Sequence, residues 1–119
     1  VSTEDDDARV THRLDDLVTF AREAAFVVGH GRDLYVSATP EGTLLRNAGE
    51  RVLIKVATVV EKLPEAYKAQ HPEVAWVAIS RMRNLVAHHD DKVNDDVVWA
   101  ALVDRVPAMV RTLGLDPGA

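Results

Sequence analysis

The chain has 119 residues, 47% of them hydrophobic and 28% charged, with a formal net charge of -5 at pH 7 and no cysteine. That length and balance fit one globular domain spanning 1–119 with its own core, with 1–7 and 115–119 expected to fray, and not a disordered or membranous chain. The missing cysteines exclude a disulfide framework, a thiolate zinc site and a cysteine nucleophile, and the acidic balance excludes a generic nucleic-acid binder, so any contact with a nucleic acid has to be local.

Ser2 to Asp7 is polar and acidic, unlike a secretory leader, and no apolar run approaches the roughly 20 residues that span a bilayer. A soluble, cytoplasmic protein without a membrane partner is expected. Val10, Leu14, Leu17, Ala21, Ala24 and Val28 then recur at spacings of three and four, which puts one apolar stripe on a first helix ending near Gly29 or fraying towards Tyr35. The Ser37 to Gly42 stretch, with Pro40, reads as a connection.

A second helix is predicted from about Thr43 to Leu63, with Leu45, Val52, Leu53, Val56, Val59 and Val60 on a broad apolar face. Its many β-branched residues suit a strand, but a stretch of about twenty residues without a turn signal is too long for one. Pro64-Glu65 opens a further turn through Ala69, and His71-Pro72-Glu73 opens a third main helix from Val74 to about His88. Asp90 to Asn94 is a charged break, after which a fourth helix runs from Asp95 to Leu113 before Gly114, with Pro107 expected to kink or divide it. Four main helices on short links imply an all-α, four- to five-helix up-and-down bundle.

Polar residues cluster at the end of the third helix, in Ser80-Arg81-Met82-Arg83-Asn84-Leu85-Val86-Ala87-His88-His89-Asp90. At about 100° per residue Arg81, Asn84 and His88 share one stripe, whereas Arg83 lies about 140° from His88 and joins them only if the last turn loosens or its side chain swings round. A guanidinium for a phosphate, an amide for positioning and an imidazole that titrates near neutral pH are the parts needed to cleave RNA without a metal. The same residues at an exposed helix end would equally serve as a solvated face near the C-terminal carbonyls, so spacing alone leaves both readings open.

From Leu44 to Leu115 the sequence resembles the HepT family of the HEPN superfamily. The likeness is carried by Arg51 through Lys62-Leu63-Pro64-Glu65, by His71-Pro72-Glu73-Val74-Ala75-Trp76, by Ile79 to His88, by Asp96-Val97-Val98-Trp99 and by Val106-Pro107. Its strongest segment, Met82-Arg83-Asn84-Leu85-Val86-Ala87-His88, resembles the superfamily's Arg-x(4–6)-His element. The resemblance implies a HEPN-like bundle, a homodimer with the motif in a composite cleft between protomers, and metal-independent endoribonuclease activity on RNA without a cofactor. By the same analogy Arg83 stabilises phosphoryl charge, His88 is general acid or base, and Asn84 positions them, with Arg81 a second candidate arginine and His89 a helper. A toxin role with a minimal nucleotidyltransferase as antitoxin is also implied; the alternative is a non-catalytic HEPN module that binds that nucleotidyltransferase.

Two positions depart from the family pattern. Relatives often carry a Tyr, an acceptor for nucleotidylation, two residues after the histidine, where this chain has Asp90; many carry Gly-Glu in the second helix, where it has Ala57 and Thr58. Elsewhere, His88-His89-Asp90-Asp91 offers ligand types but not the spacing of a metal site, and no metal is expected. Trp76 and Trp99 are expected to pack with satisfied indole N–H groups, His12 and His30 to lie at the surface, and Glu61 and Glu65 to be solvated carboxylates.

Overall fold

A computed structural model of the chain describes residues 3–87 and 92–115. Its helices are α1 (Thr3–Val28), α2 (Arg32–Tyr35), α3 (Pro40–Lys62), α4 (Glu65–Ala69), α5 (Trp76–Ser80), α6 (Met82–Ala87), α7 (Lys92–Ala100) and α8 (Val106–Thr112), with a π-helical segment, Ala101–Arg105, joining α7 to α8. No strand occurs among the described residues, and the all-α expectation is met. The segments form four columns: α1, α3, α5 followed by α6, and α7 continuing through the π segment into α8. The central column is α3, which packs against α1 on one side and against α5 and α6 on the other.

The apolar spacing read from the sequence is what the core consumes. Leu17, Ala21 and Ala24 of α1 meet Leu53, Val56 and Val60 of α3, and Ile79, Met82, Val98, Leu102 and Val106 close the same cluster. Fully burying such side chains contributes roughly 1.5–3 kcal/mol each, so the bundle is held mainly by this seam.

Several boundaries differ from the sequence expectation. The first helix already runs from Thr3, through acidic residues that were expected to fray and that the helix dipole favours at an N-terminus. The second column begins earlier than expected, at Pro40, because Thr39 caps it: the Gly42 N–H donates to Thr39 Oγ1 at 3.0 Å, and Pro40 occupies the first turn, where a missing N–H costs nothing. Residues read as a connection are therefore the start signal of the helix. The helix expected from Val74 begins only at Trp76, whose indole N–H donates to the carbonyls of Lys68 and His71, both at 3.0 Å, and pins the turn that precedes it.

That helix is also interrupted at Arg81, where the Asn84 N–H turns back to the Arg81 carbonyl at 2.9 Å. The fourth column is divided near Pro107 as expected: α7 ends at Ala100, the coil widens through the π segment, and α8 begins at Val106 with Pro107 in its first turn. A proline ring collides with the carbonyl four residues earlier in an α-helix, and the five-residue π segment just before it relieves that contact. The column then closes at Gly114, whose φ of 71° lets the Leu115 N–H return to the Val110 carbonyl at 2.9 Å and the Gly114 N–H to that of Arg111 at 3.0 Å. No helix among the described residues is long and apolar enough to cross a membrane.

Candidate active site

The rotation of α6 is fixed by Met82, which has no exposed surface, and partly by Leu85 and Val86, which pack against the core. With Met82 pointing inward, Arg83 is carried to the flank that faces α3. Its Nη2 donates to Thr58 Oγ1 at 2.6 Å and lies 3.3 Å from Glu61 Oε2. Thr58 can accept this bond because its own hydroxyl hydrogen is used elsewhere, donated to the Ile54 carbonyl at 2.8 Å. Thr58 and Glu61 stand three apart on α3, a spacing that places both on one face of a helix and within reach of a single guanidinium.

The Arg83 side chain is 43% exposed, as is that of Glu61, so the guanidinium is held by protein on one side and open to solvent on the other. Its Nε is buried and has no hydrogen-bond partner among the described residues. An arginine tethered in this way keeps part of its donor fork for an incoming phosphate, and anchoring by neighbours reduces the entropy lost when the phosphate arrives. Arg81, the second candidate arginine, lies at the turn between α5 and α6 and is exposed, as is Asn84. His88, His89 and Asp90 lie outside the described residues.

The structure thus brings Arg83 onto α3 and leaves Arg81 and Asn84 on the surface of the same column. Because the coil is broken at Arg81, the single stripe expected for Arg81 and Asn84 on an unbroken helix does not describe how these two stand to each other. The residue that sequence reasoning missed is Glu61, read as a solvated carboxylate. Thr58, read as the loss of a carboxylate, is the hydroxyl on which Arg83 rests, and Glu61 supplies a carboxylate one turn further along. The spacing of Thr58 and Glu61 was visible in the sequence, but their common partner sits in another column. Glu65, also expected to be solvated, is 93% exposed, with Lys68 3.3 Å away along its own short helix.

Away from this site Trp76 packs with its indole N–H satisfied, Trp99 packs 5.0 Å from the buried ring of Tyr35, and His12 and His30 are exposed. The Tyr35 hydroxyl is pushed far above the usual phenol range, first by burial and then by the carboxylates of Glu50 and Asp95, with Arg46 opposing them.

The model of the ribonuclease HepT-like family matches residues 36–114, which spans the columns carrying Thr58, Glu61 and Arg83. A Methanocaldococcus jannaschii protein named "Putative RNase MJ0127" is 27% identical over 63 residues, 53% of this chain and 52% of that protein. The chain therefore spans about half the length of this curated relative. No solved structure matches. With a family match over residues 36–114, about two thirds of its length, the chain belongs to the ribonuclease HepT-like family.

Proposed function

We propose that the protein is a metal-independent endoribonuclease that cleaves RNA at a composite site between two copies of the chain, and that it is the toxin of a pair whose antitoxin is a minimal nucleotidyltransferase. The observation that carries this reading is the tethered guanidinium: Arg83 is fixed by Thr58 and Glu61 while remaining open to solvent. In the reaction a base removes the proton of a ribose 2′-hydroxyl and the O2′–P bond forms. The P–O5′ bond breaks, and an acid returns a proton to the leaving oxygen. The products are a 2′,3′-cyclic phosphate and a 5′-hydroxyl. Arg83 stabilises the charge on the phosphoryl oxygens, His88 transfers a proton, and Asn84, Arg81 and His89 position the strand. A two-fold axis supplies the second His88, so that one imidazole serves as base and the other as acid.

The test is RNA cleavage by purified protein in EDTA. Arg83→Ala and His88→Ala should each lower the rate by at least ~100-fold, the size of a lost proton-transfer or charge-stabilising group, with helicity unchanged by circular dichroism. The wild-type rate should titrate near the ordinary imidazole range, around pH 6.5. Undiminished cleavage by either variant would refute the assignment.

One observation favours a second reading, a non-catalytic module that binds the nucleotidyltransferase: the Glu61 carboxylate partly neutralises the arginine that a phosphate would need. That reading expects wild-type protein that leaves RNA intact in EDTA and still binds a purified minimal nucleotidyltransferase.

A further inference from the structure

The seam between α1 and α3 carries a feature that the Arg83 site does not use. A groove of about 590 Å³ there is lined by Arg22, Glu23 and Phe26 of α1 and by Arg51, Val52 and Lys55 of α3. Three cations face one carboxylate in this groove, on a chain whose net charge is -5. Phe26 is 73% exposed and is the one aromatic among the exposed large hydrophobic side chains of the described residues. Its ring is held in place: His30 packs edge-on against it at 4.9 Å between centroids, while His30 Nδ1 lies 2.9 Å from the Phe26 carbonyl. Beside it Lys55 Nζ is fixed 2.7 Å from Glu23 Oε1 and 4.8 Å from the centre of the Phe20 ring. Glu23 thus pairs with Lys55 inside the groove. Arg51 is exposed and forms no salt bridge among the described residues.

A strip of α3 running from Arg51 through Lys55 to Thr58 joins this groove to the residue on which Arg83 rests. At about 100° per residue Arg51, Lys55, Thr58 and Lys62 fall within about 60° of one another around the helix. Thr58 is where Arg83 docks. The rise from Arg51 to Thr58 is about 10 Å, the length of roughly three stacked nucleotides at ~3.4 Å each.

We infer that the Phe26, Arg22, Arg51 and Lys55 groove is a binding subsite for single-stranded RNA, in which a base stacks on Phe26 and the backbone follows Arg51 and Lys55 along α3 to Arg83. The inference deepens the ribonuclease reading and rests on it for the identity of the strand. Cations flanking a pre-positioned aromatic ring are the elements from which sequence-tolerant single-strand sites are built: the ring stacks on any base and the cations neutralise phosphates. They also answer the objection raised by the acidic composition, since the positive charge is local and lies on the approach to the site.

The experiment is fluorescence anisotropy of the full chain with a 2′-O-methylated single-stranded oligoribonucleotide. It lacks the attacking hydroxyl, so binding is read without cleavage. Phe26→Ala should weaken binding by roughly 5- to 100-fold, the loss of one base stack, and Phe26→Trp should restore it. Arg51→Ala should reduce the slope of log affinity against log salt by about 0.7, one phosphate contact on a single strand. Both side chains are exposed, so circular dichroism should show intact folding. Wild-type affinity in Phe26→Ala or Arg51→Ala would overturn the subsite. So would a change of oligomeric state in Phe26→Ala with RNA affinity unchanged, which would assign the ring to a protein contact. The two readings fail separately: protein that binds the analogue through Phe26 and Arg51 but leaves unmodified RNA intact sinks the ribonuclease reading alone. Protein that cuts RNA while both variants bind normally sinks the subsite alone.

Discussion

Tyr35 is the most tightly enclosed ring in the bundle, with no exposed surface and a hydroxyl that has no hydrogen-bond partner among the described residues. An orphaned buried hydroxyl costs free energy that a hydrogen atom in its place would not, so Tyr35→Phe should be neutral or stabilising by about 1 kcal/mol in urea melts. The pH dependence follows from the raised ionisation of this phenol. Folding favours its protonated form, so its contribution is fully present below the ordinary tyrosine range near 10 and is lost as pH rises beyond it. Wild type should lose stability above about pH 10 more steeply than Tyr35→Phe; superimposed alkaline profiles would show that Tyr35 is not responsible. Arg83 illustrates the opposite economy: its Nη2 is satisfied by Thr58 and Glu61, while the side chain stays 43% exposed to solvent.

At the scale of the elements, the start of α3 is set by close approach as well as by capping. A Cβ built on Gly42 would lie 2.5 Å from the Ser37 carbonyl oxygen and 2.7 Å from that of Leu34, both backbone atoms. Gly42→Ala should therefore lower stability by about 1–3 kcal/mol, despite the gain of roughly 1 kcal/mol that alanine brings to a helix interior. Thermal melts would read this as a fall of several degrees for a domain of this size; a rise would mean that the loop before α3 yields easily. The break at Arg81 and the π segment before Pro107 are the other local departures.

On the scale of the whole molecule, an acidic chain presents three of its cations along the α1 and α3 seam while its arginine site opens on the neighbouring flank of α3. If the cleavage site is composite, activity per protomer should fall on dilution below the dimer dissociation constant, tracked by sedimentation in the same buffer. Constant specific activity in a monomeric sample would place the whole site within one chain. Much of this architecture was legible beforehand. Apolar spacing by three and four located the main columns, and Gly114 the last helix end, because burial of one face and the demands of a left-handed cap are written in neighbouring residues. The Arg-Asn-x-x-x-His segment drew attention to Arg83 because unusual residue types stood close together. The Thr39 cap and Pro40 were also present in the sequence, but a proline and a glycine signal a break and a helix start alike. Which alternative holds depends on whether Gly42 has a neighbour pressed against it. Glu61 and Phe26 were hidden for a related reason, since a glutamate or a phenylalanine on a helix looks the same whether its flank meets solvent, a guanidinium or a groove. The sequence by itself determined which faces must be buried; the tertiary structure alone decided what stands opposite the faces that are not, because those partners come from other columns and are brought near only by the packing of the core.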